Sequence, residues 1–297
     1  MTPRALQYGR CLFLGLFLTL PAHAEENINP EMAQAEYEAA NQDAMKAALT
    51  GPTDIAISDQ GYLHLPEGMA YIPKTQTQRL LQAIDGHGDS SVEGAVIPQS
   101  DDESWMMLVS YEKAGFIRDD DAKEWDPDGM LDNLKQGTEA ANEARRQRGI
   151  PELEVLGWAE VPAYDANRHQ LRWSASAREK GSSNSNYTIN YKTLALGREG
   201  YIGMNLITDM ENVNHLKPMA SQLIAAVNYN EGKRYSDFSE DTDQVAEYGL
   251  AALVAGVAAK KLGFFALAAG FLAKFAKVIF IALAAGGATL GKLFRRK

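Results

Sequence analysis

Beyond residue 24 the chain carries four histidines, His64, His87, His169 and His215, scattered with no His-Glu-x-x-His or comparable zinc spacing. His87 lies in Gly86-His87-Gly88-Asp89, a tight loop that sets an imidazole beside a carboxylate, and a plain turn accounts for the same residues. No Gly-x-Ser-x-Gly elbow is present, so a serine nucleophile of that kind is not expected. The acidic run Asp119-Asp120-Asp121, Glu124, Asp126, Asp128, Gly129 fails as a calcium loop. With Glu124 first and Gly129 sixth, Lys135 falls at the twelfth position, where a bidentate glutamate is required. Acidic residues at a helix N-terminus explain the run.

What remains is binding chemistry. Trp158, Tyr164, Trp173 and Tyr201, with Asn184, Asn186, Asn190 and Asn205 near them in sequence, are the residue types of a sugar- or peptide-binding face; the same aromatics equally suit the core of a sheet. The candidate ligand residues are Asp165, Trp173, Arg198, Tyr201 and Asn205, for a ligand the sequence does not define. Arg198 sits in a hairpin turn and reads best as the partner of a neighbouring carboxylate. No catalytic set, metal or cofactor is expected, and the balance leans away from an enzyme.

The elements that must carry these residues are legible in outline. Asn29-Pro30 opens an exposed, Ala-rich helix over Glu31–Leu49, stopped by Gly51-Pro52. Short strands follow at Asp54–Ser58, Tyr62–Leu65 and Met69–Ile72, separated by turn residues. A short helix spans Thr75–Ile84, then strands span Gly94–Ile97 and Trp105–Tyr111, the latter apolar enough to be buried on both faces. Asp126 caps a helix with Pro127 in its first turn and Arg145, Arg146 and Arg148 in its last. Leu171–Arg178 alternates as a half-buried strand. Tyr187, Ile189 and Tyr191 alternate likewise, and a shift of phase to Leu194 and Leu196 predicts a bulge near Lys192-Thr193. Gly197–Gly200 turns into a strand over Tyr201–Thr208. A last helix presents Leu216, Ala220, Leu223 and Val227 on one face, and Asp237–Val245 is a linker. The expected fold class is α+β, an antiparallel sheet with packed helices, plus a C-terminal transmembrane helix.

Both ends of the sequence look like membrane signals. Arg4 and Arg10, the apolar run Cys11–Leu20 and the Ala22-His23-Ala24 site make residues 1–24 a secretory signal. Its removal takes Cys11, the single cysteine, leaving no thiolate and no disulfide. Gly249–Lys297 has no acidic residue. Its small residues Gly249, Ala252, Gly256, Ala259, Gly263, Ala266, Gly270 and Ala273 recur at alternating steps of three and four, a heptad seam along which two helices approach closely. As one helix this stretch would be roughly 65 Å long, too short for three crossings. Two would place the basic tail Lys292, Arg295, Arg296 and Lys297 outside, against the positive-inside bias. One crossing within residues 262–291 is therefore expected. Lys274 and Lys277 interrupt it and read as snorkelling to an interface; the rival reading is a basic stripe facing a partner acid. The domains are then a leader at 1–24, an acidic extracytoplasmic domain at 25–246 and an anchor at 247–297. The tail carries +8 and the leader +2, so with a total of −10 the segment between them holds −20. Nucleic acid is excluded as a partner by that charge.

Several short pieces together resemble one family: Trp158, Tyr164-Asp165, Leu171-Arg172-Trp173, Leu196-Gly197-Arg198-Glu199-Gly200-Tyr201, Asn205, Gly232-x-x-Tyr235-x-Asp237-Phe238 and Thr242-Asp243-x-Val245-Ala246-x-Tyr248-Gly249-Leu250. Asp119-Asp120-Asp121-Ala122 fits as well. The chain is similar in these to an uncharacterised bacterial family, domain of unknown function 2167, described as membrane-anchored. The resemblance implies a signal peptide, an extracytoplasmic domain and a C-terminal membrane helix, and it supplies no activity. The expected protein is a non-enzymatic binding or scaffolding module in the bacterial inner membrane, single-pass, with its domain in the periplasm and its C-terminus in the cytoplasm. Its partners would be the bilayer and either itself or another membrane helix. An envelope hydrolase with an unfamiliar site, or a regulator of a membrane complex, is the alternative.

Overall fold

Stretches rich in β-branched and aromatic residues supply the strands of two antiparallel sheets, as pleated, covered surfaces favour. The computed structural model describes residues 30–85, 89–100, 103, 105–147, 151–182, 188–209 and 211–255. They belong to one compact unit that ends at Ala255. The elements are α1 (Pro30–Ala47), β1 (Leu49–Thr50), β2 (Thr53–Ile57), β3 (Gly61–Leu65), β4 (Met69–Pro73), α2 (Lys74–Asp85), β5 (Val92–Pro98), β6 (Met106–Glu112), α3 (Pro127–Gln147), β7 (Leu153–Asp165), β8 (Gln170–Glu179), β9 (Thr188–Leu196), β10 (Tyr201–Asp209), α4 (Val213–Ala225), β11 (Val227–Tyr229) and α5 (Leu250–Val254). Short 3₁₀ turns lie at Asp120–Glu124 and Tyr235–Asp237.

The large sheet has eight strands in the order β1-β4-β5-β6-β10-β9-β8-β7, and the small one has three, β11-β3-β2. The fold is α+β, with a large antiparallel sheet and few helices. One face of the large sheet packs Met107, Val109, Tyr191, Met204 and Leu206 against Leu216, Ala220 and Leu223 of α4 and Ile55, Ile57, Leu63 and Leu65 of the small sheet. On the opposite face Ala40 and Ala44 of α1 and Leu80 and Leu81 of α2 cover Ile72, Ala95, Met106 and Leu108. Helix α3 lies along β7, where buried Asn142 donates to Leu153 O and accepts from Leu153 N, both at 2.8 Å.

Several expectations are corrected. The first helix ends at Ala47, and its Ala40 and Ala44 are fully buried, so it is not simply exposed. Strand β8 is covered on both faces rather than half-buried: Ser174 and Ser176 of the polar set are as buried as Trp173 and Ala177. No bulge occurs at Lys192-Thr193, because β9 pairs in unbroken register with both β8 and β10. The register shifts lie instead in β7 and β5. Val227 belongs to β11, not to the preceding helix. The stretch read as a linker after Asp237 is fastened to the sheet, as described below.

Among the described residues no helix is long and apolar enough to cross a membrane. The signal sequence, the Gly86-His87-Gly88 loop, Asn184, Asn186, and the seam and basic residues from Gly256 onward lie outside the described residues.

Candidate functional site

Residues paired directly across an antiparallel sheet share a face. One such row crosses six strands: Ile72, Ala95, Leu108, Asn205, Lys192 and Trp173. Its first three members lie in the apolar cluster under α1 and α2. At β10 the row turns polar. Asn205 stands opposite Lys192, which stands opposite Trp173, and the Lys192 Nζ lies 5.9 Å from the centroid of the Trp173 ring. Two positions along β9, Asn190 on the same face is only 9% exposed and accepts a 3.2 Å bond from Asn205 Nδ2. The Asn205 Oδ1 is buried and has no hydrogen-bond partner. Burial also lowers the Lys192 pKa, against the weaker opposing field of Asp89. The Asp89 carboxylate is itself held by Ser91, whose backbone N and Oγ donate to its Oδ1 at 2.9 and 2.7 Å.

A second group of functional candidates forms a strap along residues 230–254. Arg198 Nε and Nη2 donate to Asp243 Oδ2 and Oδ1 at 2.6 and 2.7 Å, a paired bond across 45 residues. Ser239 N and Thr242 Oγ1 donate to the same carboxylate at 2.8 and 2.9 Å. Arg198, and then the Ser239 amide, hold Asp243 well below the usual carboxylate range. Lys233 bridges Asp59 and Glu199 at 3.0 and 2.9 Å. Farther along, Phe116 stacks on Phe238 at 3.7 Å and pairs with Val245 through a parallel bridge. Tyr235 stacks on His169 at 4.1 Å and donates to Ile117 O at 2.9 Å. The Tyr164 hydroxyl donates to Asp119 Oδ2 at 2.8 Å and lies 3.2 Å from His169 Nδ1. Burial first and Asp119 second raise the pKa of both Tyr164 and Tyr235. Both phenols act as hydrogen-bond donors in these contacts. At the end of the strap Asp121 accepts from Leu250 N at 3.2 Å and Ala251 N at 3.0 Å, capping α5.

The five candidate ligand residues separate. Trp173, Tyr201 and Asn205 lie on the Lys192 face. Asp165 is away from it, where its Oδ1 accepts from Asn167 N and Arg168 N and shapes the β7–β8 turn. Arg198 is committed to Asp243. Gly249 is extended backbone just before α5, and a side chain there would meet Asp121 Oδ2 at 2.5 Å, so its small size is explained inside the domain. Sequence reasoning missed Lys192. Its only signal was the shift of phase in β9, which marks a charged residue on a strand covered on both sides.

The quoted family pieces thus fall on β7–β10, on the strap and on the 3₁₀ turn at Asp120–Glu124 that meets it. The family model described as "Protein of unknown function (DUF2167)" matches residues 49–284. The chain belongs to this family. The DUF2167 match takes in every strand of both sheets, the Lys192 row and the strap, and leaves out α1. No curated protein matches the chain. Among solved structures, the solution structure of cyanobacterial PsbP (CyanoP) from Synechocystis sp. PCC 6803 is similar at 11% identity, over 60% of this chain and 92% of that one, with a TM-score of 0.35.

Proposed function

We propose that this protein is a membrane-anchored, extracytoplasmic binding or scaffolding module that performs no reaction of its own. The strap is the observation that supports it. The stretch leading from the sheet to the apolar C-terminal segment is held by a double Arg–carboxylate bond, an aromatic stack and a capped helix start. A scaffold needs its last folded stretch fastened to its own sheet rather than left as a free linker, and the strap supplies that. The anchor crosses the bacterial inner membrane once, within residues 262–291, with the acidic domain in the periplasm. Its Gly/Ala seam joins it to a second copy or to another membrane helix.

Because Cys11 is the single cysteine and leaves with the leader, single cysteines at Ser236, Ala258, Ala276 and Leu293 report topology in cells without background. Ser236 should label from outside, and Leu293 only after the inner membrane is opened. Labelling of both from outside would overturn the single-crossing anchor and the proposal with it.

A further inference from the structure

Lys192 differs from the other partly buried lysines of the domain. Lys217 and Lys233 each meet a carboxylate at 2.9 Å, whereas no carboxylate oxygen among the described residues stands within 4 Å of the Lys192 ammonium. Taking a cation out of water without an anion is costly, and proteins ordinarily pair it. Beside it, Asn205 Oδ1 is an acceptor buried without a donor. Among the described residues the row therefore offers Lys192 only the weaker field of Asp89 and offers Asn205 Oδ1 no N–H or O–H. Asn190 fixes the orientation of the Asn205 amide by accepting from its Nδ2, which leaves Oδ1 as the free atom. Trp173 supplies a flat apolar wall on the far side of Lys192. Trp173 and Asn190 are buried, whereas Lys192 and Asn205 keep part of their surface in solvent, which is where a ligand would enter.

We infer that Lys192, Asn190 and Asn205 form a binding site for a small oxyanion, a carboxylate or a phosphate, that carries a hydrogen-bond donor next to its charge. Lys192 takes the anion in a charge-assisted bond, Asn205 Oδ1 accepts from the adjacent donor, and Trp173 packs on the carbon skeleton. A bare anion satisfies only half of this arrangement, so a hydroxy or amido acid is preferred to acetate.

The test uses the full chain in detergent and pyridoxal 5′-phosphate, which joins a phosphate to an amine-reactive aldehyde, followed by borohydride trapping and peptide mapping. Lys192 should label in the native chain, and millimolar N-acetylglycine or glycolate should slow that labelling by about tenfold, acetate less. Inorganic phosphate and glycerol phosphate, run in parallel, tell a phosphate ligand from a carboxylate one by which series protects better. Asn205→Asp, nearly the same shape, pairs Lys192 internally and should abolish protection; a retained melting transition shows that this variant is folded. Labelling of Lys192 only after denaturation would make it a sealed structural lysine and overturn the site. So would native labelling that none of these anions slows, or protection that survives in folded Asn205→Asp.

Discussion

Tyr229 ties the two sheets together with one hydroxyl. It donates to Ala195 O at 2.7 Å and accepts from Ile202 N at 3.0 Å, so a residue of β11 serves β9 and β10 at once. Gly197 makes room for its ring, since a side chain there would meet Tyr229 Cε1 at 2.5 Å. Tyr229→Phe keeps the ring but removes one partner each from the Ala195 carbonyl and the Ile202 amide, and should cost about 0.5–1.5 kcal/mol, read as a shift in the denaturant midpoint. Asp243 gives a prediction with a pH sign. Its folded pKa lies below the ordinary 3.8, so its stabilisation is complete above that value and is lost as pH falls from there through the folded value. Asp243→Asn should therefore melt well below the native chain at neutral pH, and the gap should narrow as the solution is acidified below about 4. A gap that does not change with pH would show that the Arg198 pair contributes nothing through its charge.

At the scale of elements, α5 is short and depends on its cap. Asp121→Ala removes the acceptor for Leu250 N and Ala251 N, costing about 0.5–2 kcal/mol locally. Amide exchange at those two positions should speed up, with β9 and β10 unchanged. The Gly/Ala seam is tested one segment later: Gly256→Ile, Gly263→Ile and Gly270→Ile together should abolish oligomers in an in-membrane dimerisation assay, and undiminished assembly would rule out the seam. How much of this was legible in the sequence depended on what hid each element's periodicity. Helix α3 announced itself because Asp126 caps it, accepting from Gly129 N at 3.1 Å, and Pro127 begins it. Strand β6 showed as an apolar run because both its faces are covered. Strand β7 was not seen as a strand, since register shifts around Gly157, Glu160 and Ala163 break its alternation and Pro162 interrupts it. Strand β11 has three residues, too few to show a period, and the helical spacing of α4 runs on into Val227. The strap resembled a linker because its Ser, Thr, Asp and Gly content is that of turns, and only partners distant in sequence, such as Arg198 for Asp243 and Ile117 for Tyr235, reveal it. Of the site, Trp173 and Asn205 were found from residue type, but the row joining them through Lys192 exists only once strands are paired.

For the molecule as a whole, the pairing of β3 has a consequence in time. Strand β3 lies between β2, just before it, and β11, which comes from residues 227–229. The small sheet and the apolar layer beneath it therefore cannot close until nearly the whole domain has been made. A leader, as expected here, would thread the chain through the export channel with its N-terminal strands waiting, their apolar faces unmatched, for a segment that arrives just ahead of the anchor. Such a long wait favours holding factors on the far side and makes early release hazardous. A chain stopped at Ala226 should expose β3 as an open edge and be cut there by protease, whereas one stopped at Ala255 should resist. Closure of the small sheet would then wait on the arrival of β11, and copies made only as far as Ala226 would be the ones left open to degradation.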